Sequence, residues 1–259
     1  GDVRAVATSA VRDATNREVF LDRVEKRTGF QIEIVDAIEE TRIAHQLVRH
    51  LIGPELDQGV VMLLAFGGGG TQLIVQKDAE IELAESRQFG ILKLQEGPIE
   101  PALRAARRFL PKVVRSIARV HELSKVEHIV VVSTDVFRLA EGLGRVRERP
   151  WGLELTRRAY IQLEAKESAL TIQQIAEQAS LERGAAELAC MAFEELRAFA
   201  EPCRFRRLLL PRCSMLDSVM LDKALSLGGG GPVGPPRNLP DTVESSAWAV
   251  ARKYRISES

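Results

Sequence analysis

The stretch GVVMLLAFGGGGTQLIVQK, residues 59–77, decides how the rest of the chain is read. An apolar run over residues 60–66 is too short for most helices and meets four consecutive glycines, Gly67, Gly68, Gly69 and Gly70. After Thr71, Leu73 and Val75 alternate with Gln72, Ile74 and Gln76. This pattern predicts strand, tight turn, strand. Glycines at such a turn can adopt positive φ and let an anion such as phosphate approach the backbone N–H groups. Glycine clusters are also ordinary turn signals, so the turn by itself reads first as a plain hairpin.

Outward from that hairpin, composition sets bounds. A chain of 259 residues can bury two modest cores. Lys plus Arg and Asp plus Glu number 36 each, so the overall charge calls for neither a nucleic acid nor a membrane as partner. Any polyanion would have to be held by local clusters. Cys190, Cys203 and Cys213 match neither a zinc site nor a disulfide framework and read as reduced thiols of a cytoplasmic protein. His45, His50, His121 and His128 show no metal-ligand spacing. There is no signal peptide or long apolar run. The chain starts at Gly1, enters an apolar piece at once and stops after a helix-like stretch, so both ends are expected to be cut from a longer protein.

Taken in order, the chain predicts a strand over 3–8, a helix from residue 9 running through residue 25 to the Thr28-Gly29 stop, and a strand over 31–35. An amphipathic helix over 38–52 begins with Glu39 and Glu40 and stops at Gly53-Pro54. Beyond the hairpin, residues 81–83 and 86–94 continue an antiparallel run with a bulge at Gly90, and helices follow over 100–109 and 112–123. Arg104, Arg107, Arg108, Lys112, Arg115 and Arg119 share that segment without an acid, as a solvated face or a polyanion track. A strand over 128–132, helices over 136–143, 171–179 and 181–199, a strand over 208–210 and a helix over 215–225 complete the body. Residues 228–240 read as a Gly/Pro linker, with a helix from 241 onward.

Several separated stretches, ATSAVRDATN (7–16), IEETR (38–42), FGGGGTQL (66–73), ESRQFG (85–90) and PRCSMLDSVMLD (211–222), resemble in order and spacing the motifs of the Ppx/GppA family of exopolyphosphatases and guanosine pentaphosphate phosphohydrolases. The resemblance implies an α/β, two-lobed actin/Hsp70-like (ASKHA) fold with ribonuclease-H-like cores. The second half of an incomplete first lobe would occupy 1–56 and the second lobe 57–227, and residues 241–259 would open a helical HD-type domain. It implies hydrolysis of a terminal phosphoanhydride in polyphosphate or pppGpp with Mg²⁺, and it carries the usual dimerisation of the family as an expectation. By the same likeness Glu40 is the catalytic base, Arg12 and Arg42 meet phosphate, and Gly67, Gly68, Gly69, Gly70 and Thr71 donate backbone N–H groups. Read from the residues alone, Glu40 is also an ordinary acid at a helix N-terminus.

The departures from the pattern bear on function. Where the family has Asp-Ile-Gly-Gly-Gly-Ser-Thr-Glu, this chain has Ala65-Phe66-Gly67-Gly68-Gly69-Gly70-Thr71-Gln72. Ala65 offers a hard cation no ligand and Gln72 lacks the charge of Glu, so no metal ligand is assigned. The second, Gly-rich phosphate loop aligns with residues 132–136, where β-branched side chains block backbone approach and Asp135 repels phosphate. The expectation is therefore a phosphatase relative whose catalysis is weakened or lost. The alternative is a non-catalytic module that binds polyphosphate or an alarmone, or that serves as a scaffold.

Overall fold

The computed structural model describes residues 3–95 and 97–227. Its small unit contains β1 (Ala5–Ala7), α1 (Ser9–Arg12), α2 (Arg17–Thr28) and β2 (Ile32–Ile34), with β1 and β2 paired in parallel. The helix expected from residue 9 through 25 is interrupted at residues 13–16 and resumes as α2. Gly29 ends α2 in the left-handed region at φ 75°, as the Thr28-Gly29 signal predicts.

α3 (Ala37–Leu56) follows, capped by Asp36, whose carboxylate accepts from the Glu39 N–H at 2.8 Å. The Gly53-Pro54 pair does not end it. The backbone departs from helical angles at Ile52, and a second helical piece continues through Pro54, which is tolerated early in a new turn. Ala44, Val48, Ile52 and Leu56 pack on the large sheet, while Ile43 packs with Val35 and Val219, so α3 takes part in both cores.

The large sheet has seven strands in the order β5-β4-β3-β6-β9-β8-β7. Its strands are β3 (Val60–Phe66), β4 (Thr71–Lys77), β5 (Glu80–Arg87), β6 (His128–Val132), β7 (Arg147–Arg149), β8 (Gly152–Thr156) and β9 (Arg207–Pro211). β3, β6 and β9 run parallel, while the β3-β4-β5 meander and the β7-β8 pair are antiparallel. Strands buried on both faces alternate between two cores. In β3, Met62 and Leu64 face one core and Val61, Leu63 and Ala65 the other. The first is roofed by α5 (Ile99–Ala118), α6 (Thr134–Leu143), α7 (Arg157–Ala169), α8 (Ile172–Gln178) and α9 (Arg183–Ala200); α3 covers the second.

Two local expectations change. The strand expected over 86–94 stops at Arg87, and α4 (Ile91–Leu94) forms after Gly90. The two helices expected around Pro111 are one, because Leu110, Val114 and Ile117 bury on the same side and hold α5 together across the proline. Its outer face carries Arg104, Arg107, Arg108, Lys112 and Arg115, and Arg119 follows as its C-cap, all six exposed. Residues 144–170, which carry no assigned pattern above, form β7, β8 and α7. α8 has the full capping box between Thr171 and Gln174. The expected linker over 228–240 and the helix and HD-type segment beyond it lie outside the described residues.

α10 (Met215–Leu227) returns to the small unit. Asp222 accepts from Arg4 Nη1 at 2.8 Å and from Arg42 Nη2 at 2.5 Å, tying β1, α3 and α10 together. Burial alone would raise the Asp222 carboxyl, but the two guanidinium groups hold it below its ordinary value. The tie therefore stabilises at neutral pH and is lost as the pH falls through that depressed pKa. Asp222→Asn is expected to cost about 2 kcal/mol in urea unfolding at pH 7, as for hydrogen bonds to charged groups. An unchanged midpoint would sink that assignment.

Candidate functional site

A cleft of about 200 Å³ opens at the carboxyl ends of β3 and β6, between the glycine turn and α1. Its floor is Glu40, Ala65 and Gln72; its walls include Phe66, Gly67, Gly68 and Gly70; its rim carries the hydroxyl residues Thr8, Ser9, Ser133, Thr134 and Ser214. Carboxyl ends of parallel strands are where open α/β sheets bind ligands.

The four turn glycines are required by space and not by positive φ. Positive-φ glycines among the described residues are Gly29, Gly59, Gly97 and Gly152, so none of the four turn glycines occupies the left-handed region. Space is what requires them. A Cβ on Gly68 would lie 2.9 Å from Leu92 Cδ1, one on Gly69 would collide with Ser9, and one on Gly70 would lie 2.9 Å from the Arg87 carbonyl oxygen. The turn is backed by α4, whose Ile91 and Leu92 N–H groups donate to the Gly67 and Gly68 carbonyls at 3.0 Å each. Gly67 N–H is committed to the Gly70 carbonyl at 2.9 Å and is not directed to a ligand as expected.

Glu40, on the first turn of α3, is 5% exposed. Its Oε1 accepts from Arg12 Nη1 at 3.0 Å, and its Oε2 accepts from Gln72 Nε2 at 2.7 Å. Arg12 Nη1 also donates to the Val35 carbonyl at 2.7 Å, which fixes the guanidinium against the small unit. Burial raises the Glu40 carboxyl above its ordinary value, and Arg12 opposes that shift. Gln72 is 2% exposed, and its Oε1 has no hydrogen-bond partner. The amide partner of Glu40 was not legible in the sequence, because residues 32 apart are brought together only when α3 lies across the sheet.

The Arg42 side chain, expected to meet phosphate, sits elsewhere. Arg42 points toward α10, where it bonds Glu39, Gln46 and Asp222. Thr71 is fully buried, and its hydroxyl faces α9, bonded to the Phe89 carbonyl at 3.1 Å and to Glu195. Thr71 supports the turn from beneath. The expected obstruction over 132–136 is partial: Val132, Ser133 and Thr134 line the cleft, Asp135 does not, and Ser133 caps α6. None of the basic residues of α5 lines the cleft, and Arg107 is engaged with buried Glu194 at 2.7 Å.

The cleft residues do not fit a divalent cation. Such an ion needs carboxylate, carbonyl or water oxygens turned toward it. Here both oxygens of Glu40 accept from nitrogen donors, Ala65 presents a methyl group, and Gln72 turns its NH₂ inward. Among the described residues no group of three His, Cys, Asp or Glu side chains could hold a metal ion. His45 is buried and held neutral by that burial, with Nε2 3.0 Å from Gln76 Oε1. Cys190, Cys203 and Cys213 are unpaired thiols, each pushed up to about 12 by burial. No helix among the described residues is long and apolar enough to cross a membrane.

A five-strand core of β5-β4-β3-β6-β9 with helices on both faces, joined to a second small parallel sheet, defines an α/β protein of the two-lobed actin-like class. Residues 1–119 match the Ppx/GppA phosphatase family. Exopolyphosphatase 1 of Mycobacterium leprae is 36% identical over 93 residues, which are 36% of this chain and 27% of that protein. A guanosine-5'-triphosphate,3'-diphosphate pyrophosphatase of Aliivibrio fischeri is 29% identical over 96 residues, 37% of this chain and 19% of that protein. The matched segment thus spans about a quarter or less of these curated relatives. The crystal structure of the Aquifex aeolicus Ppx/GppA family member has a TM-score of 0.67 at 22% identity, covering 87% of this chain and 74% of that one. An exopolyphosphatase from Cytophaga hutchinsonii gives 0.71 at 18%, covering 85% and 74%. These two likenesses establish the fold.

Proposed function

We propose that the cleft grips the end of a phosphate chain, in inorganic polyphosphate or a guanosine polyphosphate, and that hydrolysis of its terminal phosphoanhydride is weakened or lost. The match of residues 1–119 to the Ppx/GppA family, the tightly backed glycine turn and the N-terminus of α6 at the rim support the binding half. The observation that carries the second half is Glu40, with one oxygen on Arg12 and the other on Gln72. A base for water needs an oxygen turned to the nucleophile, and phosphoryl transfer needs charge neutralised at the transferring group. The Glu40 oxygens are engaged and the cation ligands are replaced. The protein acts in the cytoplasm, and association with a second copy belongs to the same proposal.

Phosphate release from polyphosphate or pppGpp with Mg²⁺ is the test. Wild type and Glu40→Gln are expected to give the same near-background rate. A wild-type rate that drops by about a hundredfold or more in Glu40→Gln, the usual scale for a lost general base, would sink the weakened-catalysis reading. A non-catalytic binding role is favoured by the same pinned carboxylate and is recognised by salt-sensitive binding of polyphosphate without turnover.

A further inference from the structure

Three side chains on the cleft floor point to a property beyond phosphate-end recognition. Gln72 and Ala65 are paired opposite each other in the β3-β4 register and face α3. Gln72 sends its amide nitrogen 2.7 Å from Glu40 Oε2, while Arg12 Nη1 lies 3.0 Å from Oε1. The carboxylate is thus neutralised on one side by a guanidinium and capped on the other by an amide donor. A cation between Glu40 and Gln72 would have to displace that hydrogen bond and would find only one neutral oxygen, Gln72 Oε1, which is buried and unpartnered. The carboxylate that this exchange leaves behind is compensated by the protein itself.

We propose that the amide of Gln72 takes the place of a divalent cation beside Glu40, so that this cleft binds oligophosphate without Mg²⁺; the inference rests on the phosphate-end reading above. Arg12 stays committed to Glu40, so polyanion charge is then met by Lys93, whose Cε lies close to the Cβ position of Gly69 and whose Nζ lies 3.4 Å from Asp13, and by the dipole at the start of α6. Gln72 becomes a specificity-determining residue, because Glu at that position would set two carboxylates facing each other. Like charges at such a distance repel unless a cation or a proton joins them.

Calorimetric titration of the full chain with inorganic tripolyphosphate, in EDTA and again in millimolar Mg²⁺, tests this. Wild type is expected to bind with dissociation constants within about twofold of each other in the two buffers. Gln72→Glu is expected to bind at least tenfold more weakly in EDTA and to recover in Mg²⁺, and to take up Mg²⁺ alone, which wild type does not. Wild-type binding that is tenfold tighter in Mg²⁺, or wild-type uptake of Mg²⁺ alone, overturns the amide substitution while leaving the phosphate-end reading in place. No tripolyphosphate binding by wild type in either buffer overturns that reading and this inference with it. The wild-type comparison decides the matter even where Gln72→Glu fails to fold.

Discussion

Glu195→Gln is expected to flatten the pH dependence of unfolding between about pH 5 and pH 8. Glu195 lies on α9, wholly buried, and its carboxyl is pushed from 4.5 to about 8 by burial, partly offset by Thr71. Geometry leads to the same state. The single hydroxyl proton of Thr71 faces two acceptors, the Phe89 carbonyl and Glu195. The chain closes if Glu195 carries a proton and donates to Thr71, which in turn donates to Phe89. A carboxyl whose folded pKa is raised binds more protons folded than unfolded. Its contribution is complete below about pH 4.5 and is lost as the pH rises through about 8. Wild type should therefore lose stability relative to Glu195→Gln by roughly 1.4 kcal/mol per pH unit across that window. Urea unfolding at half-unit steps measures the difference, and parallel profiles would remove the proton from Glu195.

Gly90→Ala is expected to dismantle the glycine turn. A Cβ there would collide with the Gly67 carbonyl oxygen, the Gly70 nitrogen and the Gly68 carbonyl carbon, all main chain and unable to rotate away. Overpacking against backbone costs on the order of 3 kcal/mol. The turn and α4 would have to part, breaking the 3.0 Å bonds from Ile91 and Leu92. Tripolyphosphate binding should weaken at least tenfold while circular dichroism stays near wild type. Gly184→Ala is the control: the position is on the first turn of α9, nothing lies within 4 Å, and the change should stabilise by up to about 1 kcal/mol. If both variants bind alike, the turn is not the cradle.

The parts of this fold that were readable in the sequence are those whose signal is local. The apolar runs of β3 and β6 have the expected bounds at residues 60–66 and 128–132, because each is buried on both faces and bounded by turn residues. The capping box of α8 is likewise contained within four residues. β7 and β8 escaped notice because Arg147, Glu148 and Arg149 carry no apolar alternation, and β8 is held by its pairing with β9. α5 crosses Pro111 because burial outweighs one lost backbone bond. At the cleft, the sequence marked Ala65 and Gln72 as departures but gave no sign that Gln72 reaches Glu40. It also placed Arg42 with the ligand, whereas Asp222 draws it toward α10.

The Arg4–Asp222 bond joins residues 218 positions apart. While the chain is being made, β1 and β2 emerge from the ribosome long before the helix that anchors them. The seven-stranded body can assemble from shorter-range pairings in the meantime. The small unit is therefore the last to be secured, and a nascent chain halted before residue 222 would leave Arg4 and Arg42 without that shared anchor.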